Sequence, residues 1–281
     1  MFNRDFTEAF LRNKGAVVGL VIVAAILLLA AFADVIFPGD PWDMAGAPFT
    51  HPLDDGMLFG SDMLGRDIAS GIAHGARVSL LIGLTSTVVA VAAGVLLGAL
   101  AGFHGGRIDD AIMRFTELFQ TIPNFVLVVV IVAIFTPSLF SIVVAIALVS
   151  WAPLARLVRG EFLALRSREF VQAAITCGQS NAAIIFRQIL PNCLSPIIVS
   201  ASLMVATAIL LESSLSFLGL GDPNAMSWGF MVGSARTVLR QAWWMSFFPG
   251  VAILLTVLGL NLVGEGLNDA FNPRLRRKRK A

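Results

Sequence analysis

The chain reads as an all-α, polytopic membrane protein with six transmembrane helices, and three observations predict it. Of its 281 residues, 57% are hydrophobic and only 14% are charged, against about 25% charged in soluble domains. Mean hydropathy is +0.83. The apolar residues fall in continuous runs of the ~20 residues that cross ~30 Å of hydrocarbon, not in the alternating pattern of a transmembrane barrel. At this length such a bundle is a single membrane domain.

Spans are expected at 16–37, 78–102, 114–136, 139–158, 193–218 and 246–268. Arg4, Arg12 and Lys14 precede the first, and Ala31-Phe32-Ala33 resembles a signal-peptidase site. The run from Ala16 to Phe37 is too long for a signal h-region, which predicts an uncleaved first span. The segment 38–77, rich in Pro, Gly and Asp, is expected outside. Within it Ile68 and Ile72 share a helical face that excludes Arg66, Asp67 and Ser70, predicting a short amphipathic helix on the outer membrane surface. A lone His74 there reads as an amphipathic side chain rather than a ligand.

In the second span Ala90, Gly94, Gly98 and Gly102 recur every fourth residue. That places small residues on one helix face and permits close backbone approach, either within the bundle or at a subunit interface. The third span carries Glu117, Gln120 and Pro123 in its first turns, tolerable where that end is interfacial or buried against protein. The fifth holds Glu212 well inside it, flanked by Ser213 and Ser216. A charge there costs about 3 kcal/mol on insertion scales. The group is read either as a translocation-path or gating residue facing a subunit interface, or as a buried hydrogen-bonding partner of nearby serines. Asp222 and Pro223 predict a turn at the outer mouth, and Trp228, Trp243 and Trp244 an outer aromatic belt.

Orientation follows from Lys and Arg. With the N-terminus cytoplasmic, sixteen of the twenty basic residues lie inside, leaving Arg66, Arg77, Arg236 and Arg240 outside. Both termini are then cytoplasmic. The expected organisation is a cytoplasmic segment 1–15, a six-span transmembrane domain 16–268 with an outer segment 38–77 and a cytoplasmic loop 160–192, and a basic cytoplasmic tail 269–281. The tail's six basic residues in 274–280 suit a topology anchor or an anionic-lipid contact, not nucleic acid. Cys177 and Cys193 fall on the reducing side and suggest no disulfide. His51, His74 and His104 show no metal-ligand spacing, and no paired catalytic groups are evident.

The polar segment 168–192 is the feature to explain. Ser167 is expected as an N-cap, with Glu169 favourably placed in the first turn of a helix over 168–177. Gly178 supplies a left-handed residue to end it. Ser180 caps a second helix from Asn181 to about Leu190, and Pro191 breaks the pattern before the fifth span. Ala173 and Ala174 expose little apolar surface and allow a partner groove to come close, although alanine is also simply a good helix former.

Here the chain resembles the permeases of bacterial ABC importers, whose loop reads Glu-Ala-Ala, three residues, Gly, nine residues, Ile, one residue, Leu-Pro. Gln172-Ala173-Ala174, Gly178 and Leu190-Pro191 stand at the matching distances, with Gln172 for the glutamate and Gln188 at the isoleucine position. "FGSDMLGRDIASGIAHGARVSLLIG" (59–83), "SFLGLGDP" (216–223) and "NLVGEGLNDAFNPRLR" (261–276) are similar to the second permease of dipeptide, oligopeptide and nickel importers. The resemblance implies a type I importer permease whose loop docks into an ATP-binding subunit. It also implies a sister permease, two ATP-binding subunits and an extracytoplasmic substrate-binding protein as partners, in a bacterial inner membrane. No phosphate loop is present, and the lysines are confined to Lys14, Lys278 and Lys280. ATP and Mg are therefore expected on the partner subunits and no cofactor on this chain, which is not itself an enzyme. Short peptides are the expected cargo, with nickel or another small solute as the alternative. A secondary transporter working without an ATPase is disfavoured by the lack of midplane ionisable relays and repeats.

Overall fold

The computed structural model describes residues 4–271; the basic tail 274–280 lies outside the described residues. Twelve helices make up the described chain, with two isolated β-bridges in the outer segment. Five are long and apolar enough to cross a membrane, or six if one bent pair counts as a single span.

Helix α1 (Arg4–Arg12) leads into α2 (Lys14–Ala31), the first span. Asn13 caps α2 by accepting from the Ala16 N–H and donates its own amide to Asp269, 3.1 Å away at the far end of the chain. The span is shorter than predicted: it stops at Ala31, and a separate turn α3 (Ala33–Ile36) follows. Helix α2 lies along α12 (Trp244–Phe271), where small residues set the spacing. A Cβ on Gly266 would stand 2.2 Å from that of Ala16, and one on Gly19 2.7 Å from the Gly259 carbonyl.

The outer segment folds as a cap over this end of the bundle, with Phe49, Leu53 and Asp55 at positive φ in its turns. The predicted amphipathic surface helix is corrected. Residues 68–77 are the first turns of α4 (Ile68–His104), one unbroken helix of 37 residues capped by Asp67. Ile68, Ile72, Ala73 and Ala76 are buried, so this face packs on protein rather than lipid. The alternation that suggests an interfacial helix is equally the signature of a helix half-covered by a cap.

The third span is broken. Helix α5 (Gly106–Thr121) and α6 (Asn124–Ile134) meet at 83° around Ile122-Pro123. Proline at 123 cannot donate the hydrogen bond that would carry α5 onward, and it starts α6 instead. Helix α7 (Leu139–Arg166) opens with a capping box between Ser138 and Ser141 and runs eight residues past its predicted end. It continues into α8 (Glu169–Thr176), α9 (Asn181–Ala183), a π-helical turn (Ile184–Ile189) and α10 (Leu190–Phe217), the fifth span. A short buried helix, α11 (Trp228–Ala235), precedes α12.

The core divides by height. Around the outer cap it centres on Trp228 and Trp244, mid-bundle on Val128, Ile142, Ile146 and Leu215, and at the α8 end on Phe162, Val171, Ile184 and Ile189. Of the three tryptophans expected in an outer belt, only Trp243 is exposed, at 52%. Trp228 and Trp244 are fully buried, and their indole N–H groups donate to the Ile72 and Ser61 carbonyls at 2.9 and 3.1 Å. A buried indole needs such a partner, and here the cap and the start of α4 supply it.

Candidate functional site

The 168–192 segment is a polar stretch whose inward face packs on the bundle through Val171, Ala174, Ile184 and Ile189. Arg168, not the expected Ser167, is the N-cap of α8; Ser167 ends α7, its hydroxyl on the Ala164 carbonyl. After α8 the backbone turns at Gly178, where φ is +74°. The Gly178 N–H donates to the Ile175 carbonyl and the Gln179 N–H to that of Ala174, the paired bonds of a Schellman motif. Ser180 then caps the next helix, accepting from the Ala183 N–H.

Two expectations are corrected here. Pro191 does not break the chain: it sits in the first turn of α10, and the helix is continuous from Asn181 to Phe217. The π-helical turn before it is the physical reason. The Leu190 N–H reaches back five residues, to Ile185, so the ladder already has the widened register that a ring lacking an N–H requires. Ala173 and Ala174 do not share an exposed face either. Ala173 is exposed, but Ala174 turns inward with Val171 onto Phe162, Ile184 and Ile189. The elbow is therefore packed on α7 and on the base of α10 and moves with them.

The two departures from the family's loop pattern have local roles. The Gln172 amide donates to the Arg166 carbonyl at 3.0 Å, closing the end of α7 with a bond that a carboxylate cannot donate. The Gln188 amide donates to the Gln179 side-chain oxygen at 3.3 Å across the turn. Phe170, Ala173, Ile175 and Phe186 remain exposed, while Leu190 and Pro191 are half-buried at the elbow's root. Those four exposed side chains are an apolar group on an otherwise polar stretch.

The small-residue face of α4 meets α7 of the same chain. A Cβ on Gly94, Gly98 or Gly102 would come within 3.0, 2.5 and 2.7 Å of the Trp151, Ala155 and Arg159 carbonyls, and Ala90 is buried against the same helix. Beside this contact Arg159 holds both carboxylate oxygens of Asp109, one at 2.6 Å, fixing α5 to α7.

Glu212 and Ser216 are turned into the chain, not toward an outward face: Glu212 is 1% exposed. Its Oε1 accepts from the Ser216 and Ser227 hydroxyls at 2.8 and 2.7 Å, and Ser227 also caps α11. Ser213 bonds back to the Ile209 carbonyl. Gly229 makes room for the carboxylate, since a Cβ there would lie 2.8 Å from both oxygens. The group ties α10 to α11.

Ties that the sequence did not disclose hold the outer end. Arg77 donates to the Ala30 and Ala31 carbonyls and, at 2.9 and 3.0 Å, to Asp34, which also meets His74 at 3.2 Å. The Arg77 hydrogen bond holds the Asp34 carboxyl below its ordinary range. Asp222 accepts from the Leu139 N–H at 2.9 Å, so the predicted turn caps α7. Among the described residues no group of three or more His, Cys, Asp or Glu is placed to hold a metal.

The described chain is a helical bundle with five helices, or six if the bent pair is one span, long and apolar enough to cross a membrane. Residues 94–277 match the family model described as binding-protein-dependent transport system inner membrane component. Residues 2–52 match the N-terminal transmembrane domain of oligopeptide transport permease C. The chain belongs to the binding-protein-dependent transport system inner membrane component family. It is 42% identical to the di/tripeptide transport system permease protein DppC of Pseudomonas aeruginosa over 97% of this chain and 92% of that one. It is 38% identical to the oligopeptide transport system permease protein OppC of Haemophilus influenzae, over 96% and 88%. It is 37% identical to the OppC of Bacillus subtilis, over 98% and 90%. Among solved structures, a chain of the MetNI methionine ABC transporter superposes with a TM-score of 0.59, covering 74% of this chain and 95% of that one at 16% identity. That likeness establishes the fold.

Proposed function

We propose that this chain is one of two permease subunits of an ATP-driven importer of short peptides, and that it receives mechanical work through the elbow 168–191. The observation that carries the reading is the continuity of that elbow. Helix α8 is packed onto α7, and the π-helical turn passes without a break into α10. A displacement applied at Phe170, Ala173, Ile175 and Phe186 reaches two spans as a rigid-body motion, the form of coupling that shifts a packed bundle between states. The relatives' names supply the cargo, short peptides.

In this reading the elbow and both termini are cytoplasmic, which the distribution of Lys and Arg supports. The partners are a sister permease, two ATP-binding subunits carrying ATP and Mg, and an extracytoplasmic binding protein that delivers the peptide. The chain itself binds no nucleotide and catalyses no reaction. The test is purification of the assembled complex and its reconstitution in liposomes. Stoichiometric ATP-binding subunits and ATP-dependent uptake of tripeptides are expected; peptide transport by this chain alone would refute the proposal.

A further inference from the structure

A recess of about 250 Å³ opens on the outside of the bundle at mid-height, lined by the polar Asn124, Ser150, Ser200 and Thr207, with Pro153, Leu154, Leu157 and Met204 beside them. Its walls are one face each of α7 and α10, near the middle of both helices, and the first residue of α6. Asn124, Pro153 and Thr207 are exposed, and Ser150 and Ser200 are half-buried. Among the described residues, the side chains of Asn124, Ser150 and Ser200 make no hydrogen bond, although a serine in a helix commonly bonds to the carbonyl four residues back. Pro153, having no N–H, leaves the Val149 carbonyl without its helical partner at the same height.

Lipid cannot cover such a surface. Unsatisfied amides and hydroxyls in hydrocarbon cost several kcal/mol each. The break between α5 and α6 sits beside them, and residues 121–126 are all exposed. Irregular backbone at membrane depth is tolerated only where protein buries it or where it borders a water-filled cavity. Phe115 of α5 stacks on Trp151 and Phe119 meets it edge-on, which fixes the break at the level of mid-α7. The recess is therefore a wet wall, completed by another chain.

The chemistry of the wall selects a ligand class. Hydroxyls and a carboxamide each donate and accept, as the alternating N–H and C=O groups of a peptide require. No charged side chain lines the recess, so nothing there discriminates among cargo side chains by charge or attracts one terminus over the other. We propose that Asn124, Ser150, Ser200 and Thr207 form this chain's contact site for the backbone amides of a passing peptide. The site rests on the peptide-import reading above and gives it a location. It explains how one path could carry peptides of differing sequence: recognition is spent on the groups that all of them share.

The experiment uses the assembled complex with Cys177 replaced by serine, leaving the buried Cys193. Ser200→Cys is expected to react with a charged, membrane-impermeant thiol reagent. Trialanine at ten times its half-saturating concentration for uptake is expected to slow that reaction about tenfold. Val21→Cys, exposed on α2, is expected to stay inert. In uptake, Ser200→Asp adds a charge to a neutral wall, and an acidic tripeptide is expected to lose about tenfold relative to trilysine. An inert Ser200→Cys overturns the proposal whatever the cargo is, because the wall is then dry. Labelling that trialanine does not slow, with no charge preference in Ser200→Asp, overturns the ligand. A complex that labels at Ser200→Cys but imports no tripeptide refutes the peptide cargo itself and leaves a water-lined wall, so the two failures are distinguishable.

Discussion

Substitution of Gly178 by valine isolates the elbow from every other part of the fold. A Cβ built on Gly178 meets nothing within 4 Å, so the substitution opens in free space rather than against a neighbour at Cβ. The backbone there has φ of +74°, which an L-residue adopts at a cost of about 1–2 kcal/mol. The strain is local to the Schellman turn, whose two hydrogen bonds from Gly178 and Gln179 hold α8 at its angle to the next helix. A turn weakened by about 1–2 kcal/mol, starting near balance with its open form, is found in its docking geometry roughly 3–15 times less often. The apparent affinity for the ATP-binding subunits falls by the same factor. The assay is titration of purified ATP-binding subunits against the permease pair in nanodiscs, read as peptide-stimulated ATPase activity. Gly178→Val is expected to move the midpoint upward by about 3–15-fold while membrane insertion is unchanged. Gly178→Asn, which tolerates the left-handed region, is expected to lie close to the unaltered chain. A valine variant with an unshifted midpoint, or an asparagine variant as impaired as valine, would refute the claim that this turn sets the geometry of docking.

Other substitutions probe the remaining contacts. Gly98→Ala places a Cβ 2.5 Å from the Ala155 carbonyl and forces α4 and α7 apart, so a loss of about 1–3 kcal/mol is expected as a lowered melting temperature of the detergent-solubilised protein. Glu212→Ala leaves the Ser216 and Ser227 hydroxyls without their acceptor in a buried site, for an expected loss of about 2–5 kcal/mol in the same melt. Glu212→Gln keeps an acceptor and should melt close to the unaltered chain, with uptake retained; loss of uptake at an unchanged melting temperature would mean that the carboxylate does more than tie α10 to α11. Asp109→Asn and Arg159→Gln should each cost about 1.5–3 kcal/mol, and the double variant less than their sum, as measured by a double-mutant cycle on the same melt.

The extent to which the sequence anticipated the structure differs between elements for physical reasons. Continuous apolar runs mark α2, α7, α10 and α12, because hydrocarbon demands length and hydrophobicity of a helix whatever it packs against. Their ends were less legible: α7 extends to Arg166 because Phe162 has a buried place against α8, a tertiary fact. The amphipathic pattern at 68–77 was visible, but it could not say whether lipid or the outer cap covers the apolar face. The spacing of Ala90, Gly94, Gly98 and Gly102 declared a close helix contact without naming the partner, which is α7. The polar recess had a signal too: Ser200, Met204 and Thr207 fall one helical turn apart on α10, but Asn124 and Ser150 join them only through the fold.

By itself, then, the order of residues determined that the protein is a helical bundle for a membrane, with Gly178 as a left-handed stop between two short helices and a family pattern running from Gln172 to Pro191. These depend on local backbone preference and on solvent partition, which a residue carries with it wherever it is placed. Only the tertiary structure decided that Pro191 continues a helix, that Glu212 faces α11 rather than a partner chain, and that Trp228 and Trp244 are anchored in protein rather than at a lipid boundary. Each of those outcomes depends on which neighbour can supply a hydrogen-bond partner at a given depth, and neighbours distant in sequence are chosen by packing.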